Sequence, residues 1–183
     1  VSMIFWGPPG TGKTTLARVI AAETHSKFVA LSAVEAGVAD VRRVIQDAQA
    51  LKRQTGERMM LFIDEIHRFN KSQQDALLHS VEEGTITLIG ATTENPSFEV
   101  INALQSRCKI YKLEPLSDLH LEKILKQALD TDELLKSLSI EITDRQSLIF
   151  YAAGDARNLL NTLELAIQIA KPDANGTLIV TKD

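Results

Sequence analysis

A glycine-rich segment near the start of the chain has the residue types and spacing that bind a phosphate chain. It reads Gly7-Pro8-Pro9-Gly10-Thr11-Gly12-Lys13-Thr14 and matches G-x-x-x-x-G-K-[S/T] between an apolar run and an amphipathic helical pattern. The glycines let backbone N–H groups converge on phosphate oxygens, and the N-terminus of the next helix adds partial positive charge. Lys13 would reach the β- and γ-phosphates, and the Thr14 hydroxyl would bind Mg²⁺. An ordinary Gly/Pro turn is the weaker alternative, because strand, loop and helix follow in the order that the motif requires.

Two acids, Asp64 and Glu65, come directly after the apolar run Met59–Ile63. In a parallel sheet the carboxyl ends of the strands open onto the ligand crevice, so both carboxylates would face the phosphate loop. Asp64 can hold Mg²⁺ through its water shell, and Glu65 can polarise the water that attacks the γ-phosphate. The alternative is an acidic surface turn, which the phosphate loop upstream makes less attractive. The adjacent acids favour hydrolysis over transfer to a small molecule.

Polar side chains also follow the next apolar run, at Thr92, Thr93 and Asn95. A neutral hydrogen-bonding group there could fix the attacking water or contact the γ-phosphate. Alternatively, the threonines cap the end of a strand and Asn95-Pro96 forms a turn. Spacing alone leaves both interpretations open.

Short apolar strands alternate with helical patterns through about Leu113, which predicts βαβ units and a parallel sheet. The five predicted strands are Ser2–Trp6, Phe28–Ser32, Met59–Ile63, Thr87–Ala91 and Lys109–Leu113. Helices are predicted from Lys13 onward, with Leu16, Ala17, Ile20 and Ala21 on one face, and over Asp40–Thr55 and Ser72–Glu83, the last ending at Gly84. After Pro115 the predicted helices are Leu119–Leu129, Arg145–Ala153 and Ala156–Ala170, followed by a possible short strand at Thr177–Val180. We therefore predict an α/β nucleotide-binding domain over residues 1–114 and a small all-helical domain over residues 115–183.

The composition is that of an ordinary globular protein. The 183 residues are 44% hydrophobic and 24% charged, with a net charge of −4 that argues against a strong overall attraction to nucleic acid. No apolar run approaches the ~20 residues of a membrane span, and no signal peptide is visible. The single cysteine, Cys108, suits a reducing compartment and is interpreted as a small buried side chain. The four histidines lack metal-ligand spacing and are interpreted as surface or turn residues.

The motifs together resemble an AAA+ ATPase of the clamp-loader clade. In chain order they are Gly7–Thr14, Asp64-Glu65, Thr92-Thr93, Ser106-Arg107-Cys108 and Gly154-Asp155-Ala156-Arg157. Within the clade, residues 64–75 (DEIHRFNKSQQD) and 84–99 (GTITLIGATTENPSFE) closely resemble the RarA/MgsA family. That family is the bacterial relative of the Werner helicase-interacting ATPase. The resemblance covers nearly the whole chain.

The resemblance implies a fold and further site residues. The fold would be a P-loop five-stranded parallel sheet followed by a helical lid, with Thr15 joining Gly7–Thr14 in binding the nucleotide. Thr93 would be sensor 1, on a strand between the phosphate-loop strand and the Asp64 strand. Arg107 would be an arginine finger acting in trans on a neighbouring subunit, a role worth about 10³–10⁵ in turnover. Arg157 would be sensor 2. As alternatives, Arg107 forms a surface salt bridge and Arg157 is a helix-start residue paired with Asp155.

The resemblance also implies a biological role. It would be a DNA-dependent, Mg²⁺-requiring ATPase and homo-oligomer acting at stalled or damaged replication forks, in replication, recombination and repair. Its partners would be fork or junction DNA and single-strand-binding protein, in the bacterial cytoplasm near the nucleoid and without a membrane. A clamp-loader subunit and a nucleotide-gated scaffold are the alternatives, and the presence of Lys13, Glu65 and Arg107 weighs against the scaffold. The chain begins within a strand without Met, so we expect a fragment that lacks the family's adenine-packing segment and C-terminal oligomerisation domain.

Overall fold

Five parallel strands form the sheet that places the predicted site residues. The structure, a computed structural model, describes residues 1–181. The strands are β1 (Ser2–Trp6), β2 (Lys27–Ser32), β3 (Met59–Asp64), β4 (Ile86–Thr92) and β5 (Cys108–Lys112). They lie in the order β2-β3-β4-β1-β5, and every neighbouring pair is parallel. The predicted five-stranded sheet is confirmed, with each strand within one residue of its predicted bounds.

The central strands are buried because helices cover both faces of the sheet. Along β3, Leu61 and Ile63 belong to one apolar cluster and Met60 and Phe62 to the other, as the alternation of a strand requires. The register pairs Ile63 with Gly90 in β4 and Trp6 in β1 with Thr92 in β4. The carboxyl ends of β1, β3 and β4 therefore meet at one edge of the sheet.

Helices cover this sheet within the first compact unit, which comprises Val1–Gly7 and Gly12–Leu113. They are α1 (Lys13–Glu23), α2 (Val38–Thr55), a 3-10 turn (Ile66–Arg68), α3 (Lys71–Glu82), α4 (Pro96–Glu99) and α5 (Asn102–Gln105). Ala17 and Ala21 of α1 pack in one apolar cluster, and Val41, Val44 and Ala48 of α2 pack in the other. Leu16 was predicted to share the buried face of α1, but it is 40% exposed. Gly84 follows α3 with φ of +63°, which confirms its predicted place at the helix end.

The short helix α4 begins at Pro96, where one of the two open interpretations placed a turn at Asn95-Pro96. The Asn95 side chain accepts a hydrogen bond from the Ser97 N–H at 3.0 Å and caps α4, and Pro96 occupies the first helical position. Helices of four residues are too short for apolar periodicity to reveal them.

The second compact unit comprises Pro8–Thr11 and the described residues from Glu114 onward. Its elements are α6 (Asp118–Thr131), α7 (Glu133–Ser137), β6 (Ile140–Ile142), α8 (Arg145–Ala152), α9 (Ala156–Ile169), β7 (Lys171–Pro172) and β8 (Leu178–Val180). Its core is formed by Leu121, Leu125, Leu148, Ile149, Ala152, Leu159 and Leu163.

The prediction of an all-helical unit is wrong in one respect, because β6, β8 and β7 form a three-stranded sheet. The predicted strand at Thr177–Val180 is confirmed as β8, whereas β6 and β7 were missed. β6 has three residues and pairs with β8, which lies more than thirty residues further along the chain, so no local pattern reveals it. β7 pairs with nearby β8, but its two residues are too few to show the alternation of a strand.

Candidate nucleotide-binding site

The phosphate loop (residues 7–14) begins where β1 ends, and glycine is required at its first position. The Gly7 N–H donates to the Thr92 carbonyl at 3.1 Å, which ties the loop to the end of β4. A Cβ at residue 7 would lie 2.2 Å from the Leu113 carbonyl oxygen, so no side chain fits there. The backbone therefore runs close beside Leu113, the residue that follows β5, as it enters the loop.

The loop ends at the N-terminus of α1, where an anion can bind. Gly12 is the N-cap residue with φ of +87°, a left-handed conformation that glycine adopts without steric cost. Among the described residues, no side chain caps this end of α1. An uncapped N-terminus presents backbone N–H groups and the positive end of the helix dipole, which is what a phosphate requires.

Lys13 is the first residue of α1, and its side chain folds back over the loop. Its ammonium donates to the Gly7 carbonyl at 2.8 Å, and the residue is only 8% exposed. Thr14 is half-buried and Thr15 is exposed. The middle of the loop, Pro8–Thr11, belongs to the second compact unit. Within this segment the Thr11 hydroxyl donates to the Pro8 carbonyl at 3.0 Å.

The two predicted acids stand at the carboxyl end of β3, on the same sheet edge as Gly7. A carboxylate oxygen of Asp64 accepts the Glu65 N–H at 3.1 Å. Glu65 has φ of 53° and ψ of 45°, a left-handed conformation that costs a residue with a Cβ about 1–2 kcal/mol. Its carbonyl accepts the Arg68 N–H at 2.8 Å, which closes the 3-10 turn. The chain thus turns sharply after the acids instead of extending β3.

β4 lies between the loop strand β1 and the acid strand β3, as the family resemblance implies, but it ends at Thr92, and Thr93 follows it directly instead of lying within the strand. The Thr92 hydroxyl donates to the Glu94 carbonyl at 3.2 Å and accepts the Glu94 N–H at 3.0 Å, so Thr92 caps the strand end. Thr93 is half-buried at the same edge.

His67 is a member of this cluster that the sequence interpretation missed. It lies in the 3-10 turn, which agrees with the expected turn position, but its side chain is only 12% exposed and is therefore not a surface group. Its Nδ1 lies 3.1 Å from a carboxylate oxygen of Glu65 and 3.0 Å from the Thr92 hydroxyl. The only signal in the sequence is its position two residues after Glu65.

Arg107 is not brought to this edge of its own sheet. The register pairs Ser2 with Cys108, so Arg107 lies before the amino end of β5, at the opposite edge from Gly7. Its guanidinium is paired with the Glu82 carboxylate at the end of α3, with an Nε–Oε1 distance of 2.7 Å. The surface salt bridge that was the alternative for Arg107 is thus present in this structure.

Arg157 belongs to the second unit, as the second residue of α9. The Asp155 carboxylate caps α9 by accepting the N–H groups of Arg157 and Asn158 at 2.7 and 3.0 Å. Arg157 is thus a helix-start residue in contact with Asp155, as the alternative had it, and the described contact is made by its backbone N–H.

The loop, the acids and the strands that carry them all lie within a region that matches a known protein family. Residues 3–115 match the model of the ATPase family associated with various cellular activities, AAA. The chain belongs to the AAA family. The family is described as one of ATPases, which agrees with the presence of the phosphate loop and the two acids in this chain.

Individual relatives are similar over almost the entire chain. It is 50% identical over 98% of its length to replication-associated recombination protein A of Coxiella burnetii and 48% identical over 98% to that of Escherichia coli K12. It is also 48% identical over 94% of its length to the ATPase WRNIP1 of Dictyostelium discoideum. The predicted resemblance to these proteins is confirmed. The chain spans 40% of the length of the two bacterial relatives and 20% of the Dictyostelium one.

A solved structure supports the same fold. The Thermotoga maritima RuvB Holliday junction branch migration motor matches 91% of this chain and 54% of its own, with a TM-score of 0.73 and 30% identity. Within residues 1–181, no helix is both long and apolar enough to cross a membrane.

Proposed function

We propose that this chain hydrolyses ATP at the carboxyl edge of its five-stranded sheet, with water as the acceptor. The observation that carries the proposal is that one edge holds both the start of α1, uncapped by any described side chain, and the acids Asp64 and Glu65. The first feature suits a phosphate chain, and the second suits an attacking water. We assign residues 1–114 to the nucleotide-binding domain and residues 115–183 to a lid.

The phosphates would lie along the loop and the first turn of α1. The proposed contacts come from Gly7, Pro8, Pro9, Gly10, Thr11, Gly12, Lys13, Thr14 and Thr15. Lys13 would exchange the Gly7 carbonyl, now 2.8 Å from its ammonium, for the β- and γ-phosphate oxygens. A buried ammonium that already points into its own loop needs little reorganisation to bind them.

The oxygen ligands at this edge fit Mg²⁺. The Thr14 hydroxyl and the Asp64 carboxylate would hold it, because Mg²⁺ takes few protein oxygens and completes its octahedron with water and phosphate. When bound, the ion would neutralise negative charge on the phosphates.

Glu65 would accept the proton of the attacking water, and Thr93 would orient that water at the end of β4. Arg157 would contact the γ-phosphate from the lid. Arg107 would act in trans, because its own loop is beyond its reach. Five residue steps from Ser2 to Gly7 span about 16 Å, whereas an arginine side chain extends about 7 Å over its six bonds.

The names of the relatives support a biological context for this activity. We propose that the protein assembles as a homo-oligomer and remodels DNA at stalled or damaged replication forks, with its turnover stimulated by DNA. Single-strand-binding protein is the proposed partner at such forks, and the bacterial nucleoid is the proposed location.

The test is the ATPase rate of the purified protein with and without forked, gapped and single-stranded DNA. Lys13→Ala should abolish hydrolysis. Lys52→Ala is a matched control, because Lys52 also donates to a glycine carbonyl, that of Gly84 at 3.3 Å, but on an exposed surface. Hydrolysis that is insensitive to Lys13→Ala would refute the site, and equal rates with and without every DNA would refute DNA dependence alone.

A further inference from the structure

His67 has a nearly buried side chain that has no role in the hydrolysis proposed above. It lies in the 3-10 turn after Glu65, and only 12% of its side chain is exposed, against 77% for His79 on α3. Its Nδ1 is within hydrogen-bond distance of two groups at once, the Glu65 carboxylate at 3.1 Å and the Thr92 hydroxyl at 3.0 Å. One ring nitrogen therefore joins the proposed base to the end of the neighbouring strand.

The two groups that face Nδ1 indicate whether it donates or accepts. The Thr92 hydroxyl can donate its proton to the Glu94 carbonyl at 3.2 Å, and its oxygen is then an acceptor towards His67. An ionised carboxylate can only accept, and an Nδ1 lone pair facing it at 3.1 Å would be repulsive. The Glu65 carboxylate therefore requires Nδ1 to carry the proton, and the Thr92 oxygen can share it.

Thr92 is a fixed anchor for this interaction. The residue is 0% exposed, and its own carbonyl accepts the Gly7 N–H at 3.1 Å, at the first residue of the phosphate loop. Glu65, by contrast, is half-buried, and its side chain leaves a left-handed backbone at a sharp turn. Without a partner, its carboxylate would sample several rotamers, because a Glu side chain is flexible.

We infer that His67 is a positioning residue, which holds the Glu65 carboxylate at a fixed position relative to Thr92 at the end of β4. This inference rests on the proposed ATP hydrolysis. The Nδ1–H engages one carboxylate oxygen and leaves the other to accept a proton from the attacking water. A base that is itself oriented by a third group is the recurring arrangement for activating a nucleophile. The hydrogen bond to buried Thr92 fixes the imidazole, as partners fix the imidazole of many histidine sites.

The experiment compares three substitutions of His67 in the purified protein, by steady-state kinetics and by titration with ATP and Mg²⁺. His67→Ala should lower kcat by about 10- to 100-fold, the usual effect of removing an orienting partner. The KM for ATP and the Kd should stay within about threefold, since His67 acts on the base and not on the phosphates. His79→Asn is the matched control, because His79 also bonds a glutamate, Glu83 at 3.1 Å, but on an exposed helix face.

The conservative variants separate positioning from mere packing. The Asn amide places an N–H near the position of Nδ1, so His67→Asn should recover most of kcat, whereas the Gln amide mimics Nε2 and His67→Gln should not. In a Glu65→Gln background, adding His67→Ala should change single-turnover hydrolysis less than twofold, because the group that His67 positions is already lost. Thermal melts identify any variant that fails to fold, and the Asn and Gln pair then carries the test.

Three results would overturn the inference: an unchanged or raised kcat in His67→Ala, equal recovery by Asn and Gln, or a full His67→Ala loss in the Glu65→Gln background. Failure of the proposed function has a different signature. In that case the wild type hydrolyses no ATP, or Glu65→Gln leaves its turnover unchanged.

Discussion

Replacement of Arg107 by alanine separates an ATPase that is complete in one subunit from one that needs a neighbour. In this structure Arg107 lies at the amino end of β5, about 16 Å from the phosphate-loop edge. That distance exceeds its reach of about 7 Å. If Arg107 stabilises the transferring phosphoryl of a neighbouring subunit, Arg107→Ala should lower kcat by about 10³–10⁵. This loss corresponds to about 4–7 kcal/mol of transition-state stabilisation.

Loss of folding stability would not explain so large an effect. The ion pair between Arg107 and Glu82 is partly exposed, with 33% and 46% of the two side chains accessible. Pairs of this kind contribute about 0–1 kcal/mol to the free energy of unfolding. Arg43→Ala is the matched control, since it removes another exposed arginine, paired with Asp40 at 2.9 Å, without removing the proposed finger.

The decisive assay mixes Arg107→Ala subunits with Glu65→Gln subunits and measures phosphate release. Each variant alone should be inactive, while an interface between an intact base and an intact finger should be active. In a head-to-tail ring with random mixing in equal amounts, about a quarter of the interfaces have both groups. We therefore expect about a quarter of wild-type turnover. No recovery in mixtures shown to co-assemble, or an Arg107→Ala variant as active as the wild type, would refute action in trans.

Other residues give independent predictions. Lys13→Ala should raise the Kd for ATP by about 10- to 150-fold, because a charge-assisted hydrogen bond contributes about 1.5–3 kcal/mol; titration calorimetry that shows unchanged affinity would contradict the phosphate-loop assignment. Gly90→Ala should lower the free energy of unfolding by about 1–3 kcal/mol, because its Cβ would lie 2.9 Å from Cδ1 of Ile66. Urea unfolding of Gly90→Ala with Ile66→Val, which lacks that methyl group, should show partial recovery, and equal instability would place the strain elsewhere. Burial raises the pKa of Cys108 from 9.0 to about 11, so at pH 8 its thiolate is about a hundredfold scarcer and its alkylation slower in proportion. The alkylation rate should keep rising up to about pH 11, and a plateau near pH 9 would contradict the burial.

The sheet and the glycine-rich loop between β1 and α1 could be predicted from sequence because their signals are local. The run from Met59 to Ile63 is apolar throughout because helices cover both faces of β3, and two acids mark its end. The glycine spacing of residues 7–14 likewise depends on one loop and the helix after it. Such features need no knowledge of distant contacts.

The parts that sequence reasoning missed depend on tertiary contacts. His67 meets Glu65 and Thr92 only because Glu65 adopts a left-handed conformation, and Thr92 is 25 residues away in the sequence. The strand β6 exists through pairing with β8, and no local alternation of three residues distinguishes it from a loop. The pairing of Arg107 with Glu82 also spans 25 residues. These contacts join residues that are far apart in the sequence, so a one-dimensional pattern cannot reveal them.

The most direct test of ATP hydrolysis at this site is the turnover of Glu65→Gln beside its affinity for ATP. The substitution keeps the shape of the side chain and the neighbouring Asp64, but removes the carboxylate that accepts the proton of the attacking water. Glu83→Gln is the matched control, because Glu83 also pairs with a histidine at 3.1 Å, outside the proposed site. We predict that Glu65→Gln binds ATP within about threefold of the wild type while its turnover falls by about 10²–10⁴, and that Glu83→Gln behaves as the wild type. Wild-type turnover in Glu65→Gln would contradict the account.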